Sequence, residues 1–401
     1  MIVELNTVQT LGLSILVLYL GIFLTKKIKL FDKYKIPTPV VGGLIFSLLL
    51  SVLFYFTKIE ITPNEYLRDF FMVAFFSTIG LSAKIRVVLK GGRTLVNLMI
   101  LATLFLFVQN FVGTFIAWAL DIPKAIGLLG GSITLTGGHG TGIAWAGILK
   151  KTFNLDLANE ITIACATCGL VLGGLIGGPV GSYLIKKFNL KNKNKSLKAG
   201  NIDEYIHTES IVDLDGILES IALISVCIIG GDFIHDWLAY IHYGSYGLPK
   251  YVSCLFIGIF ITNIIDFTKI HTTNEKSLST CSDLSLGLFL SITMMSVKLW
   301  DLVDLALPLL LLLGTQTILV ILYSIFVVYR FTGKNYDACI IASGYSGLAL
   351  GATPTAIANM SALTQRYGHS VIAFIVIPLI GAFFIDIANT LVINLFVSWL
   401  A

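Results

Sequence analysis

Residues 134–147 read TLTGGHGTGIAWAG, a glycine-rich and polar stretch that has apolar sequence on both sides. Adjacent glycines disfavour a continuous helix, because glycine adopts positive φ about as readily as negative φ. In hydrocarbon, non-helical backbone survives only against protein or water, since lipid offers no partners to its N–H and C=O groups. In a chain that spans a membrane, this stretch therefore predicts a broken helix that forms a binding site; close helix packing is the alternative.

The composition of the 401-residue chain is typical of a multi-span helical membrane protein. Hydrophobic residues make up 56% and charged residues 12% of it, whereas soluble proteins have about 25% charged residues. Apolar runs near the roughly 20 residues needed to cross a bilayer recur along the chain. We expect ten spans, near residues 7–25, 36–56, 69–83, 95–119, 160–185, 216–236, 249–266, 282–297, 306–329 and 371–399.

Two further apolar segments, 125–149 and 338–361, are interrupted by glycine-rich polar sequence, and the basic residues predict their topology. If both segments are re-entrant hairpins, the N- and C-termini lie outside and the loops alternate. Twenty of the 27 Lys and Arg residues then lie on the inner side, as expected of cytoplasmic loops. The polar stretch 186–215 becomes a cytoplasmic basic linker near anionic lipid.

An internal repeat relates the two sides of this linker. A shift of 214 residues sets GGSITLTGGHGTGIAWA (130–146) against GYSGLALGATPTAIANM (344–360). Because each half has an odd number of crossings, the second half is inverted relative to the first. The predicted fold is an all-α multi-span membrane protein of two inverted-topology repeats, 1–185 and 216–401, each with five transmembrane helices and one re-entrant hairpin.

The two hairpin tips predict a site near the bilayer midplane for a small carboxylate. In transporters built from inverted repeats, half-helix N-termini point at anionic substrates and unwound carbonyls coordinate Na⁺. Pro354 suits the first turn of such a half-helix, where a missing N–H costs least. The predicted substrate-binding residues are Ser132, Gly137, Gly138, His139, Gly140, Thr141, Ser346, Gly351, Ala352, Thr353, Pro354, Thr355 and Asn359.

Polar side chains inside the predicted spans indicate a cation site. Asp386 lies deep in the last span, about one turn from Asn389, and an unpaired carboxylate is costly there. A structural pair is the alternative for Asp386, and hydrogen bonding between helices is the alternative for Gln109 and Gln316. The predicted sodium ligands are Thr136, Gln109, Gln316, Asp386 and Asn389.

A second glycine pattern has a different interpretation. Gly169, Gly173, Gly177 and Gly181 recur at every fourth residue, which is typical of close packing between membrane helices. The cysteine pair within 165–168 has no second pair or histidine nearby, so packing is favoured there over a redox or metal site. We expect no metal other than Na⁺, no cofactor and no nucleic-acid partner.

The strings TGGHGTG (136–142) and GATPTAIANM (351–360), in this order around a basic central loop, resemble the bacterial sodium/glutamate symporter family. GLVLGGLIGGPVGSYL (169–184) and GAFFIDIANTLVINL (381–395) are similar to it too, so the resemblance covers both halves. It implies symport of L-glutamate with Na⁺ across the bacterial inner membrane. It also implies a homodimer in which a transport unit with both hairpins moves against a static scaffold, as in an elevator.

The residues alone leave the substrate and the coupling ion open. Another small carboxylate or dicarboxylate fits the same chemistry, and proton coupling would use His139 or Asp386 as the relay. Hydrogen bonding is the favoured role of His139, whose counterpart in the repeat is Thr353. A passive channel would need a continuous pore lined by polar rings, and few polar residues lie on the spans.

An enzyme is the other class of function that the sequence leaves to be weighed. The string GYSG (344–347) places Ser346 in a pattern known from intramembrane serine proteases, and His369 lies downstream. However, Ser132, the counterpart of this serine, lacks the pattern, and a nucleophile needs its base within hydrogen-bond reach. No nucleotide-binding loop of the form GxxxxGK[S/T] occurs. We therefore expect a transporter and not an enzyme.

Overall fold

The computed structural model describes residues 2–28, 31, 36–58, 60–85, 92–190, 212–241, 250–269, 273–295, 305–368 and 370–401. Across these residues the protein is nearly all helical. Eight of the described helices are long and apolar enough to cross a membrane. The prediction of a multi-span membrane protein is thus confirmed. Most of the predicted linker 186–215 lies outside the described residues.

In chain order the helices are α1 (Thr7–Lys27), α2 (Thr38–Thr57), α3 (Glu65–Ser82), α4 (Gly92–Ala119), α5 (Lys124–Ile133), α6 (Gly138–Phe153), α7 (Ala158–Lys187), α8 (Leu214–Ile241), α9 (Lys250–Thr268), α10 (Glu275–Met295), α11 (Ala306–Phe331), α12 (Tyr336–Leu350), α13 (Thr353–Tyr367), α14 (Val371–Leu379) and α15 (Ile385–Leu400). The prediction of an all-α chain missed two short strands, β1 (Ile2–Glu4) and β2 (Glu60–Thr62), which pair in parallel. Each strand has only three residues, which is too few for an alternation of apolar and polar residues to be recognised in the sequence.

The chain folds into two compact units, and each unit takes one segment from either side of the linker. The first unit comprises Met1–Ile85 and Ser210–Val303, and the second comprises Arg86–Glu209 and Asp304–Ala401. The predicted repeats, 1–185 and 216–401, each contribute to both units. Their inverted relation stays a prediction.

The first unit packs α3 between α9 and α10, with α8 beside them. A buried apolar cluster joins three of these helices: it includes Ala74 and Leu81 of α3, Cys227 of α8, and Leu278 and Cys281 of α10. Three predicted spans have different bounds or a different form. The helix α3 begins four residues before the predicted 69–83, and α10 begins seven residues before the predicted 282–297. The predicted span 371–399 comprises α14 and α15 joined by a π-helical segment, Ile380–Phe384.

The second unit is built around α7, whose glycine face receives α12 and α13. A Cβ on Gly169 would lie 2.4 Å from the Leu350 carbonyl oxygen, and one on Gly177 would lie 2.1 Å from Asn359 Nδ2. No side chain fits in these gaps. The prediction that this glycine pattern serves close packing is therefore confirmed, and it brings the second interrupted segment onto α7.

Candidate functional site

The first interruption lies between α5 and α6. Gly131 leaves helical geometry (φ −104°, ψ −136°), and the N–H of Ser132 donates to Asn110 Oδ1 at 2.9 Å. The chain turns at Thr136 and Gly137, and α6 begins at Gly138, which has φ +69°. The positive φ of Gly138, which glycine adopts without steric cost, lets the helix begin immediately after the turn.

The second interruption lies between α12 and α13. Gly351 and Ala352 are non-helical, and Ala352 is extended (φ −164°, ψ 166°). The helix α13 begins at Thr353, with Pro354 in its first turn, as the sequence predicts. Thr355 is buried in the same turn, and its hydroxyl has no partner among the described residues.

The two interruptions lie side by side. A Cβ on Gly138 would lie 3.6 Å from the carbonyl oxygen of Gly351, so the two main chains approach closely. Gln109 of α4 connects them: its Nε2 donates to the Ala349 carbonyl oxygen at 3.1 Å. Its Oε1 accepts from the Thr136 hydroxyl at 2.7 Å, and that hydroxyl lies 3.2 Å from the same Ala349 oxygen.

Two other predicted amides extend this network. Gln316 of α11 donates from Nε2 to the main-chain oxygen of Gln109 at 2.8 Å. Asn389 of α15 donates from Nδ2 to the Ser132 carbonyl oxygen at 2.9 Å. A buried polar atom without a partner is costly, yet several acceptors of this region have none among the described residues: Ser132 Oγ, Gln316 Oε1, Thr355 Oγ1 and Asn389 Oδ1.

Helix ends give this region its electrostatic character. The N-termini of α6 and α13 carry free N–H groups and the positive end of a helix dipole, which favour an anion. Ala349 lies in the last turn of α12, where carbonyl oxygens carry the negative end. One buried region thus presents donors for an anion beside oxygen ligands for a cation.

The side chains of three predicted substrate residues form hydrogen bonds within the protein. The Ser346 hydroxyl donates to the Ser343 carbonyl oxygen at 2.7 Å, and Asn359 Nδ2 donates to the Gly173 carbonyl oxygen at 2.9 Å. His139 is buried, and its Nε2 lies 3.0 Å from Thr167 Oγ1 of α7. The geometry supports hydrogen bonding as the role of His139. His369, the base of the protease alternative, lies outside the described residues.

Asp386 is in the first turn of α15 and is partly exposed. Its carboxylate has neither a hydrogen-bond nor an ion-pair partner among the described residues. Asn389 follows one turn later, as expected from the spacing. An acidic side chain that is left unpaired within a span is a functional candidate.

Sequence reasoning missed two contributors. Asn110 holds the N–H of Ser132, and its position directly after Gln109 in an apolar span was a readable signal. Ala349 contributes only its carbonyl oxygen. No side-chain pattern reveals such a contribution, because it depends on where the helix ends.

Comparisons with known proteins agree on one family. The profile of the family described as sodium/glutamate symporter matches residues 3–369. The chain is 43% identical over 394 residues to the sodium/glutamate symporter of Escherichia coli (strain K12), covering 98% of each. It is 40% identical over 387 residues to that of Haemophilus influenzae, covering 96% of this chain and 95% of the relative. A solved sodium proton antiporter from Methanocaldococcus jannaschii is 16% identical, covers 98% of each chain and has a TM-score of 0.41, too low to support an argument.

Proposed function

The chain belongs to the sodium/glutamate symporter family, and on that premise we propose that it imports L-glutamate by symport with Na⁺. Its relatives are named as symporters, so it is a transporter and not an enzyme. The observation that carries the proposal is the contact between the two helix breaks, where Gln109 joins the Thr136 hydroxyl to the Ala349 carbonyl oxygen.

The anion site lies at the first turns of α6 and α13. The free N–H groups there and the Thr141 and Thr355 hydroxyls bind the carboxylates of glutamate. The support is the helix dipole and the Thr355 hydroxyl, which has no partner among the described residues; both favour an anionic acceptor. The remaining proposed contacts come from the chain around the two breaks: Ser132, Gly137, Gly138, His139, Gly140, Ser346, Gly351, Ala352, Thr353, Pro354 and Asn359.

The cation site lies at the C-terminal end of α12. The Thr136 Oγ1 atom lies 2.7 Å from Gln109 Oε1 and 3.2 Å from the Ala349 carbonyl oxygen, and all three are hard oxygen ligands. Unwound carbonyls and half-helix C-termini hold Na⁺ in other transporters. The amide oxygens of Gln316 and Asn389 and the carboxylate of Asp386 complete the proposed set.

The transport cycle we propose is alternating access of the elevator type. Both breaks belong to the second unit, which is the moving transport unit; the first unit is the scaffold, and the protein is a homodimer in the bacterial inner membrane. The 214-residue repeat supports an inverted relation in which both hairpins re-enter the membrane and their tips meet near its midplane. The N- and C-termini then lie outside, and the linker 186–215 lies in the cytoplasm.

Uptake of radiolabelled glutamate into proteoliposomes tests this function. We expect accumulation when a Na⁺ gradient is imposed and none with Li⁺ or H⁺ gradients alone, because the coupling ion must bind for the loaded unit to move. Accumulation driven by pH alone would indicate proton coupling, and uptake that survives collapse of the Na⁺ gradient would indicate a channel. Preferential uptake of another dicarboxylate would show that this compound, and not glutamate, is the substrate.

The Asp386→Asn variant tests the cation site. We expect it to raise the Na⁺ concentration for half-maximal glutamate uptake about tenfold, since a charged ligand contributes about 1.5 kcal/mol or more. The measurement is initial uptake over a series of Na⁺ concentrations.

The matched control is Asp121→Asn, which removes an exposed carboxylate from the loop between α4 and α5. Its positive φ of 54° suits asparagine as well as aspartate. This variant is expected to keep the wild-type Na⁺ dependence. An unchanged Na⁺ dependence in Asp386→Asn would remove Asp386 from the cation site.

A further inference from the structure

One end of the second unit brings three spans together. The start of α4 lies beside the end of α11, because Asn97 Nδ2 donates to the Phe331 carbonyl oxygen at 3.2 Å. The end of α7 lies beside the same part of α11, where the rings of Phe188 and Tyr329 stack with their centroids 5.2 Å apart. Since α4, α7 and α11 are each long and apolar enough to cross a membrane, their common end lies at the membrane surface.

The open end of the hairpin formed by α12 and α13 lies at the same place. Cys339, in the first turn of α12, donates from Sγ to the Gly181 carbonyl oxygen near the end of α7, at 3.2 Å. The Tyr336 hydroxyl donates to the carbonyl oxygen of Gly368, which directly follows α13. Arg366, in the last turn of α13, therefore belongs to this end of the unit too.

This end is basic, and we call it the basic end. Its exposed cations are Arg93, Lys186, Lys187, Arg330, Lys334 and Arg366. None of them forms an ion pair with a described residue. The one acid among the described residues of this end is Asp337, which accepts a hydrogen bond from the Ser370 hydroxyl at 2.6 Å.

The opposite end of the same unit is balanced. Its described charged residues are three cations and three acids: Lys124, Lys150, Lys151, Asp121, Asp156 and Glu160. The charge bias that sets membrane topology concerns Lys and Arg, whereas Asp and Glu contribute little to it. That bias explains the cations of the basic end, but it does not explain the scarcity of acids there. An uncompensated positive surface fits an anionic partner.

Three cations of the basic end lie next to the stacked ring pair that joins α7 to α11: Lys186, Lys187 and Arg330. Lys187 Nζ lies 5.1 Å from the centroid of the Tyr183 ring and donates to its hydroxyl at 2.8 Å. The same Nζ lies 5.7 Å from the centroid of the Phe188 ring. Charge and aromatic surface therefore occur together in one small region.

The aromatic rings of this region are accessible. Tyr183 is 45% exposed, Phe188 is 49% exposed, and Phe331 at the end of α11 is 57% exposed. Aromatic side chains are enriched where the headgroups meet the acyl chains, which is where these three spans end. A phospholipid presents a phosphate and apolar chains at that depth. A free anion has no apolar part that would contact the rings.

We propose that the basic end binds an anionic phospholipid. Lys186, Lys187 and Arg330 hold its phosphate through charge-assisted hydrogen bonds. The exposed rings of Tyr183 and Phe188 contact the first carbons of its acyl chains. The site does not depend on which solute the protein transports. Its assignment to the cytoplasmic leaflet rests on the proposed orientation, in which the linker that follows α7 lies in the cytoplasm.

Native mass spectrometry of the purified full chain tests this proposal, because it counts the lipids that each chain retains. The protein is titrated with phosphatidylglycerol or with phosphatidylcholine in detergent, with and without an excess of inorganic phosphate. The variant Lys186→Gln/Lys187→Gln/Arg330→Gln removes the three proposed phosphate ligands. The matched control, Lys124→Gln/Lys150→Gln/Lys151→Gln, removes the same charge from the opposite end. The measurement needs neither glutamate nor Na⁺, so it is independent of the transport assay.

We expect the wild type to retain phosphatidylglycerol in preference to phosphatidylcholine. The triple variant of the basic end should lose at least about tenfold in affinity for phosphatidylglycerol, since each cation near the surface contributes to the attraction. The control should keep the wild-type affinity. An equal loss in both variants would indicate attraction by net charge alone and would overturn the site. Retention of wild-type affinity in the triple variant, or displacement of the lipid by inorganic phosphate, would overturn it as well.

Discussion

Glutamate uptake by the Gly137→Ala variant is expected to fall to about 1% of the wild-type rate or less. A Cβ at this position would lie 2.6 Å from the Ile133 carbonyl oxygen, 2.7 Å from Thr141 Cβ and 2.8 Å from Asn389 Nδ2. The turn must shift to relieve these contacts, and a displacement of about 1 Å at a binding site costs on the order of 100-fold. Na⁺-driven uptake at equal amounts of reconstituted protein measures the effect.

Gly147→Ala is the matched control, because it makes the same change in the same helix, α6. A Cβ on Gly147 has no atom within 4 Å, and alanine favours the helix by about 1 kcal/mol. This control is expected to transport like the wild type. Normal transport by Gly137→Ala would show that the first break is not part of the site. Size-exclusion profiles of both variants separate loss of transport from loss of folding.

Replacement of Gln109 by leucine is expected to lower uptake by about 10- to 100-fold, because buried partners left unpaired cost about 1–3 kcal/mol each. The variant loses the bond from Nε2 to the Ala349 oxygen and the bond that Oε1 accepts from Thr136. These bonds connect the two breaks, and Oε1 is a proposed sodium ligand. We therefore expect a higher Na⁺ requirement together with the lower rate, measured as initial uptake against Na⁺ concentration.

The control for this change is Asn97→Leu on the same helix. Among the residues that the structure describes, Asn97 makes one side-chain hydrogen bond, to the Phe331 carbonyl oxygen at 3.2 Å, and this bond is exposed. Loss of this hydrogen bond is expected to leave uptake close to that of the wild type, because water can donate to the Phe331 carbonyl oxygen instead. If Gln109→Leu kept the wild-type Na⁺ dependence, the proposed cation site between the breaks would be wrong.

Several features of the fold follow from local sequence alone. The spans follow from apolar length, and the start of α13 follows from Pro354, whose missing N–H is tolerated only in the first turn. The glycine face of α7 follows from a spacing of four residues. Each of these features depends on residues that are neighbours in the chain, so a pattern in the sequence is enough to reveal it.

Other features depend on packing. Ser346 and Asn359 match the predicted site by position, but their side chains bond to Ser343 and Gly173. The helix α6 begins at Gly138 because this residue has a positive φ. More than one glycine in the string GGHG (137–140) could adopt that angle, so the sequence does not predict at which of them the helix begins. A spacing rule predicts which residues share one face of a helix. It does not predict which neighbouring helix packs against that face.

By itself, the sequence determined that the chain crosses a membrane several times and that two matched segments interrupt their helices, because apolar length and glycine content act within a few residues. Only the tertiary structure decided which polar atoms meet at those interruptions. Thr136 and Ala349 are 213 residues apart in the chain, and Gln109 reaches Ala349 across 240 residues. The packing of whole helices brings these atoms within hydrogen-bond distance, and no local propensity encodes it.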